Sequence, residues 1–148
     1  MTGVQTCALP ISIFYTLKDP ETLRSYKIMR HILGTIPSED VAIYEETDET
    51  FGAIVYKSKS EKFVIIGSYS TVSNEYRILE ADNPMSEFRI FEPRQRHHEF
   101  SVDHAGDSFY IVTNWAAKNF RLMACSDAQN VITNEESSLR GTDRKSVV

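Results

Sequence analysis

The sequence predicts an all-β chain of stacked antiparallel sheets, and three observations carry that prediction. First, a cassette of an apolar run, a polar stretch, an aromatic, a cation and two aliphatics recurs. It stands at Phe63-Val64-Ile65-Ile66 with Tyr76-Arg77-Ile78-Leu79, and again at Phe109-Tyr110-Ile111-Val112 with Phe120-Arg121-Leu122-Met123. A weaker copy, Phe14-Tyr15-Thr16 with Tyr26-Lys27-Ile28-Met29, precedes them. Equivalent positions recur about 50 and then roughly 44 to 46 residues on, the period of propeller blades. Second, helix signals are confined to Pro37-Ser38-Glu39-Asp40, where proline suits a first helical position and acids suit a first turn, so a short connector is expected. Third, the remaining apolar runs are short and bounded by turn residues, as strands are.

Strands are accordingly expected at 13–17, 24–31, 41–45, 51–57, 62–68, 74–80, 88–92, 99–103, 108–113 and 120–125. Within 62–68, Phe63, Ile65 and Gly67 share one face while Val64 and Ile66 share the other. Both faces are apolar, so this strand is expected to lie between two neighbouring sheets. The next strand alternates Tyr76, Ile78 and Glu80 with Arg77, Leu79 and Ala81, so one face tolerates charge and it should lie nearer the outside. The polar inserts 68–75 and 113–119 are rich in side chains that make local turn hydrogen bonds and read as hairpin tips. Turn chemistry also marks Asp82-Asn83-Pro84 and His104-Ala105-Gly106-Asp107, and the prolines fall between strands, where no ladder donor is lost.

Composition excludes several classes. With 41% hydrophobic and 25% charged residues, 148 residues suit one globular unit that is neither disordered nor membranous. A formal net charge of -5 argues against nucleic-acid binding, and the one basic cluster, Arg94, Arg96, His97 and His98, reads as a solvated loop. No apolar run approaches the roughly 20 residues that span a bilayer, and residues 1–12 lack the cationic opening and apolar middle of a signal peptide. Two cysteines, Cys7 and Cys125, make no disulfide framework and suit a reducing, cytoplasmic setting.

No residue earns a catalytic, cofactor-binding or metal role. Ser101, Asp103 and His104 have the residue types of a hydrolytic triad, but their spacing on a strand and its turn prevents convergence on one attack geometry. Asp103 and His104 are read instead as starting a turn closed by Gly106, with side-chain bonds to backbone. His97, His98 and His104 lack a supporting cysteine or carboxylate cluster, and adjacent histidines on a strand point to opposite faces. The acidic run Glu45, Glu46, Asp48 and Glu49 reads as a solvated hairpin tip, with electrostatic attraction of a cationic substrate as the sharper alternative. Trp115 reads as packing on a neighbouring blade rather than anchoring a partner. The recurrent cation Lys27, Arg77 and Arg121 reads as a repeated local pairing.

At finer grain the residues carry a resemblance. Phe14-Tyr15-Thr16, Arg30-His31-x-Leu33-Gly34-Thr35, Ser38-Glu39-Asp40-Val41 and Tyr44-Glu45-Glu46 resemble the N-terminal propeller of the prolyl oligopeptidase family of serine peptidases, in its oligopeptidase B branch. Ile66-Gly67-Ser68, Ala81-Asp82-x-Pro84 and the most specific stretch, 101–122, extend the likeness. The resemblance implies about three antiparallel four-stranded blades of a seven-bladed ring that covers an α/β-hydrolase domain carrying Ser, Asp and His. It implies short peptides cleaved after Arg or Lys as substrates, no cofactor, and neither nucleic acid nor membrane as partner. None of that chemistry lies in these residues: no serine is flanked as Gly-x-Ser-x-Gly, and Gly67-Ser68-Tyr69-Ser70 comes nearest without its second glycine.

A propeller removes its edges by closing a ring, which three cassettes of this length cannot do, so a piece of a longer protein is expected. Residues 1–12 and 139–148 depart from the family pattern and resemble translated sequencing-adapter tails, leaving 13–134 as the propeller segment. A non-enzymatic propeller scaffold that binds proteins through its loops is the rival reading.

Overall fold

The computed structural model describes residues 11–126 and 145–147, and its one helical element among them is the 3-10 turn Pro37–Glu39. The strands form three antiparallel sheets. The first runs β1 (Ser12–Lys18), β2 (Ser25–Ile32), β3 (Val41–Glu45) in spatial order. The second runs β4 (Gly52–Lys57), β5 (Phe63–Tyr69), β6 (Asn74–Glu80), β7 (Arg89–Glu92). The third comprises β8 (Phe100–Ala105), β9 (Ser108–Thr113), β10 (Arg121–Ser126) and β11 (Lys145–Val147), with β11 paired to β10 at the edge. All ten expected strands form, with ends shifted by at most two residues.

Two expectations need correction. The first sheet has three strands rather than four: the place that β4 takes beside β5, and β8 beside β9, has no counterpart beside β1 among the described residues. Residues 145–147 take the fourth place in the third sheet, while residues 1–10, Cys7 among them, and 127–144 lie outside the described residues.

The second correction concerns the repeat. Lys27 pairs with Leu17, Arg77 with Ile66 and Arg121 with Thr113, so these are equivalent positions. Counting back three residues makes Phe14, Phe63 and Tyr110 equivalent, not Phe109. A one-residue slip turns a side chain to the opposite face, and Phe63 and Phe109 accordingly point at each other across the second and third sheets, with ring centroids 4.8 Å apart.

Alternation along β5 makes the two seams. Phe63 and Ile65 turn toward the third sheet and join Tyr76, Ile78, Phe91, Phe100, Val102, Phe109, Ile111, Met123 and Cys125 in one buried cluster. Ile66 turns the other way, against Ile28 and Ala53, with Tyr44, Val55 and Phe88 packed alongside. Phe14 meets Phe88 edge-on at 5.7 Å, and the Arg30 guanidinium donates to the Pro84 carbonyl at 2.9 Å. β5 is thus covered on both faces, as expected, whereas β9 is not. Phe109, Ile111 and Thr113 are buried, but Tyr110 and Val112 are 40% and 43% exposed because no described sheet follows.

Polar bonds fasten the second seam at the β4–β5 turn. The Tyr56 hydroxyl donates to the Val102 carbonyl at 2.5 Å, the Lys59 N–H to Asp103 Oδ1 at 3.1 Å, and Ser60 Oγ lies 2.6 Å from His104 Nδ1. Lys62 Nζ reaches Asp107 at 2.6 Å. Burial pushes the Tyr56 hydroxyl well above its ordinary range.

Gly67 is required by close approach, since a Cβ there would sit 2.9 Å from the Tyr76 ring and 3.2 Å from Ile54. Gly67→Ala is expected to destabilise the chain by about 1 to 3 kcal/mol through overpacking, and Phe109→Ala by about 3 to 5 kcal/mol through loss of a filled core position. Denaturant unfolding measures both; a Gly67→Ala chain as stable as the parent would mean the Tyr76 ring is free to swing aside.

Candidate functional site

Antiparallel topology gathers five connections at one rim: 19–24, 46–51, 70–73, 93–99 and 114–120. Residues that the sequence suggests for charge or binding converge there, and most are engaged rather than free.

Glu46 leaves the acidic run. It is 3% exposed, accepts from the Tyr44 hydroxyl at 2.6 Å and from the Asp48 N–H at 3.0 Å, and pairs with Arg94 Nη2 at 2.6 Å. The Ser68 hydroxyl donates to the same carboxylate. Burial alone would raise this carboxyl, but the bonds from Arg94, Ser68, Tyr44 and the Asp48 N–H outweigh it and hold it at about 2. The reading of a solvated tip therefore fails for Glu46, and Glu45 is also engaged, with Lys27 at 2.9 Å. Asp48 closes the turn by accepting from Thr50, which leaves Glu49 as the exposed acid without such a bond.

The basic cluster is likewise not a uniformly solvated loop. Arg94 crosses from the 93–99 connection to Glu46, lies 4.0 Å over the Phe51 ring, and takes a second carboxylate, Glu75, at 3.8 Å. His98 is buried, stacked on Phe100 at 4.8 Å, with Nε2 3.0 Å from Thr113 Oγ1. Burial depresses its pKa. Arg96 and His97 alone fit the expected exposure, and His97 adopts φ +63 in the turn.

The three histidines do not converge: His97 faces solvent, His98 meets Thr113 and His104 meets Ser60. Ser101 and His104 take opposite faces of β8, exposed and buried. Asp103 does accept from backbone, as expected, from the His104 N–H and, across the seam, the Lys59 N–H, but it and His104 lie within β8 rather than opening the turn, because both pair with β9. Trp115 packs on the core cluster with Arg121 4.8 Å over its ring. The recurrent cations share a face but differ in partner: Lys27 takes Glu45, Arg77 takes Glu75 and the Tyr44 ring of the first sheet, and Arg121 takes Trp115.

Sequence reasoning misses Arg24, whose Nη1 donates to the carbonyls of Glu46, Asp48 and Phe51 at 3.3, 3.2 and 2.8 Å. It also misses Ser68 as a donor to Glu46. Both partners lie more than 20 residues away in sequence, so neither leaves a local pattern. Two clefts flank the first seam. One of about 400 Å³ lies at the opposite rim between Phe14, Val64 and Pro84. One of about 640 Å³ lies on this rim between Lys18, Arg24 and Tyr69.

Two of the depressed groups at this rim set separate pH windows, with Asp19 and Asp48 also depressed and adding to the acid one. His98 contributes stability above its unfolded pKa near 6.5 that is lost as pH falls through its lower folded value; Glu46 contributes stability above about 4.5 that is lost on the way to about 2. Stability should therefore fall over two pH windows on acidification, and Glu46→Gln should make the lower fall shallower while leaving the upper one in place. An unchanged acid limb in Glu46→Gln would contradict this assignment.

Residues 11–139 match the family model of the prolyl oligopeptidase N-terminal beta-propeller domain. Dipeptidyl aminopeptidase BI of Pseudoxanthomonas mexicana is 42% identical over 113 residues, covering 76% of this chain and 16% of that protein. Protease 2 of Moraxella lacunata is 34% identical over 144 residues, 93% of this chain and 21% of that one. The solved oligopeptidase B from Leishmania major aligns with a TM-score of 0.74 at 34% identity, over 80% of this chain and 17% of that one. The chain thus spans only a minor part of each relative's length. With its three sheets, shared seams and matched domain model, it belongs to the prolyl oligopeptidase family, as part of the N-terminal β-propeller domain.

Proposed function

We propose that this segment is part of a seven-bladed propeller that screens substrates by size for a serine-type oligopeptidase. In that reading a narrow channel admits short unfolded peptides to an α/β-hydrolase domain lying outside these residues, and the intact enzyme cleaves after Arg or Lys. The observation that carries the reading is the propeller-domain match over 11–139, with relatives named as peptidases at 34% and 42% identity. Those names favour it over a non-enzymatic scaffold. The exposed outer faces of the first and third sheets, with Ile13, Leu17, Tyr110 and Val112 at their surfaces, fit a stack that further blades continue. A chain with only two cysteines, too few for a disulfide framework, suits a cytoplasmic setting. The propeller segment is taken as 13–134, with 1–12 and 139–148 as foreign flanks.

The propeller contributes exclusion rather than bond-breaking. Rigid seams hold the blades so that a folded protein cannot pass, while the nucleophile is supplied elsewhere. The 148-residue chain alone is therefore expected to show no hydrolysis of an Arg-containing peptide above buffer. The full-length enzyme should cleave that peptide free in solution and spare it when it is embedded in a folded domain. Turnover by the isolated chain, or equal cleavage of both forms by the enzyme, would overturn the proposal.

A further inference from the structure

The cleft of about 640 Å³ on the rim has a chemistry that the size screen does not use. Two cations line it, Lys18 and Arg24, and among the described residues neither forms an ion pair with a carboxylate. Arg24 is fixed, because three backbone carbonyls accept from its guanidinium and it lies 5.6 Å over the Tyr26 ring, while the nearby Asp19 carboxylate feels its charge without closing an ion pair. Beside them Leu23 sits at φ +59 and is 69% exposed. A bulky side chain is disfavoured in that left-handed conformation, and water disfavours its exposure, so the tip holds an apolar group outward against two opposing terms. The Asp19 carboxylate locks the tip by accepting from the Glu21 and Thr22 N–H groups at 2.9 and 2.8 Å. Across the cleft the Tyr69 ring is 42% exposed and lies against Gly52. Glu49 lines the cleft as its one acid.

We infer that this cleft binds the C-terminal end of a short peptide. The terminal carboxylate takes Lys18 and Arg24, the last side chain lies between Leu23 and Tyr69, and Glu49 meets a cationic residue upstream. The opposite charges in one cleft suit a ligand carrying both an anion and a donor, rather than a plain fatty carboxylate. The choice of a peptide rests on the proposed function; the two fail separately, because the size screen is read on the full-length enzyme and this site is read on the chain itself.

The test is an NMR titration of the isotopically labelled 148-residue chain with the N-acetylated tripeptide Ala-Arg-Leu, as free acid and as C-terminal amide, with hexanoate as the plain carboxylate. The free acid should bind at least about tenfold more tightly than the amide, since charge-assisted bonds are the strong ones, and less tightly at high salt. Amide shifts should centre on 18–24 and 69–71. Lys18→Ala should remove the difference between acid and amide, and Leu23→Ser should weaken both; each position is exposed, so the fold should be retained. Equal affinities, shifts centred elsewhere or no binding would overturn the site. Hexanoate binding as well as the peptide would overturn its assignment to peptides while leaving the size screen untouched.

Discussion

A strand that is apolar on both faces needs a neighbour on both faces, and β5 imposes that requirement on everything around it. Phe63 and Ile65 commit one face to the third sheet, and Ile66 commits the other to the first. Neither cluster can be satisfied within a single four-stranded sheet, because period-two alternation sends successive side chains to opposite sides. Stacking is the solution, and each added sheet recreates the need on its own outer face. Exposed Tyr110 and Val112 on the third sheet, and Ile13 and Leu17 on the first, are that unmet need. The same logic explains why Gly67 sits where the Tyr76 ring and Ile54 already fill the space.

Apolar burial holds the seams together but does not fix their angle or register, because it is non-directional. The polar bonds do that. At one rim Arg94 ties the 93–99 connection to Glu46, and Arg24 clasps the carbonyls of the same 46–51 crossover from the first sheet. At the other, Asp103 and His104 receive the β4–β5 turn. A buried ion pair is weak evidence of added stability, since desolvation offsets its Coulomb gain. Here its geometric consequence is the clearer one: a crossover between sheets held from two sides, which shapes the cleft that carries Lys18 and Glu49.

Which features were legible in the sequence follows from how local they are. Strand positions are encoded by adjacent residues, such as the alternation from Phe63 to Ile66 and the Asp82-Asn83-Pro84 turn, and they emerge within a residue or two. Faces are less legible: aligning Phe109 with Phe63 fits the residue types but misses a one-residue slip that only the Thr113 to Arg121 pairing reveals. Burial of charge is least legible. Nothing near Glu46 distinguishes it from Glu45 and Glu49, and its partners Ser68 and Arg94 are set by the fold. His98 reads as part of a solvated loop because Thr113, 15 residues on, reaches it only when β8 pairs with β9. The family, by contrast, was legible from short strings, since it depends on residue identity rather than on placement.

The claim that the middle sheet is the organising element is tested most directly by native-state hydrogen exchange along the whole chain. If the two seams on β5 hold the structure, the amides of β5 and β6 exchange most slowly, through the global unfolding reaction, while β1 and the strands of the third sheet farthest from the seam open at lower free energy. Equal protection across all three sheets, or slowest exchange in β1, would contradict the account.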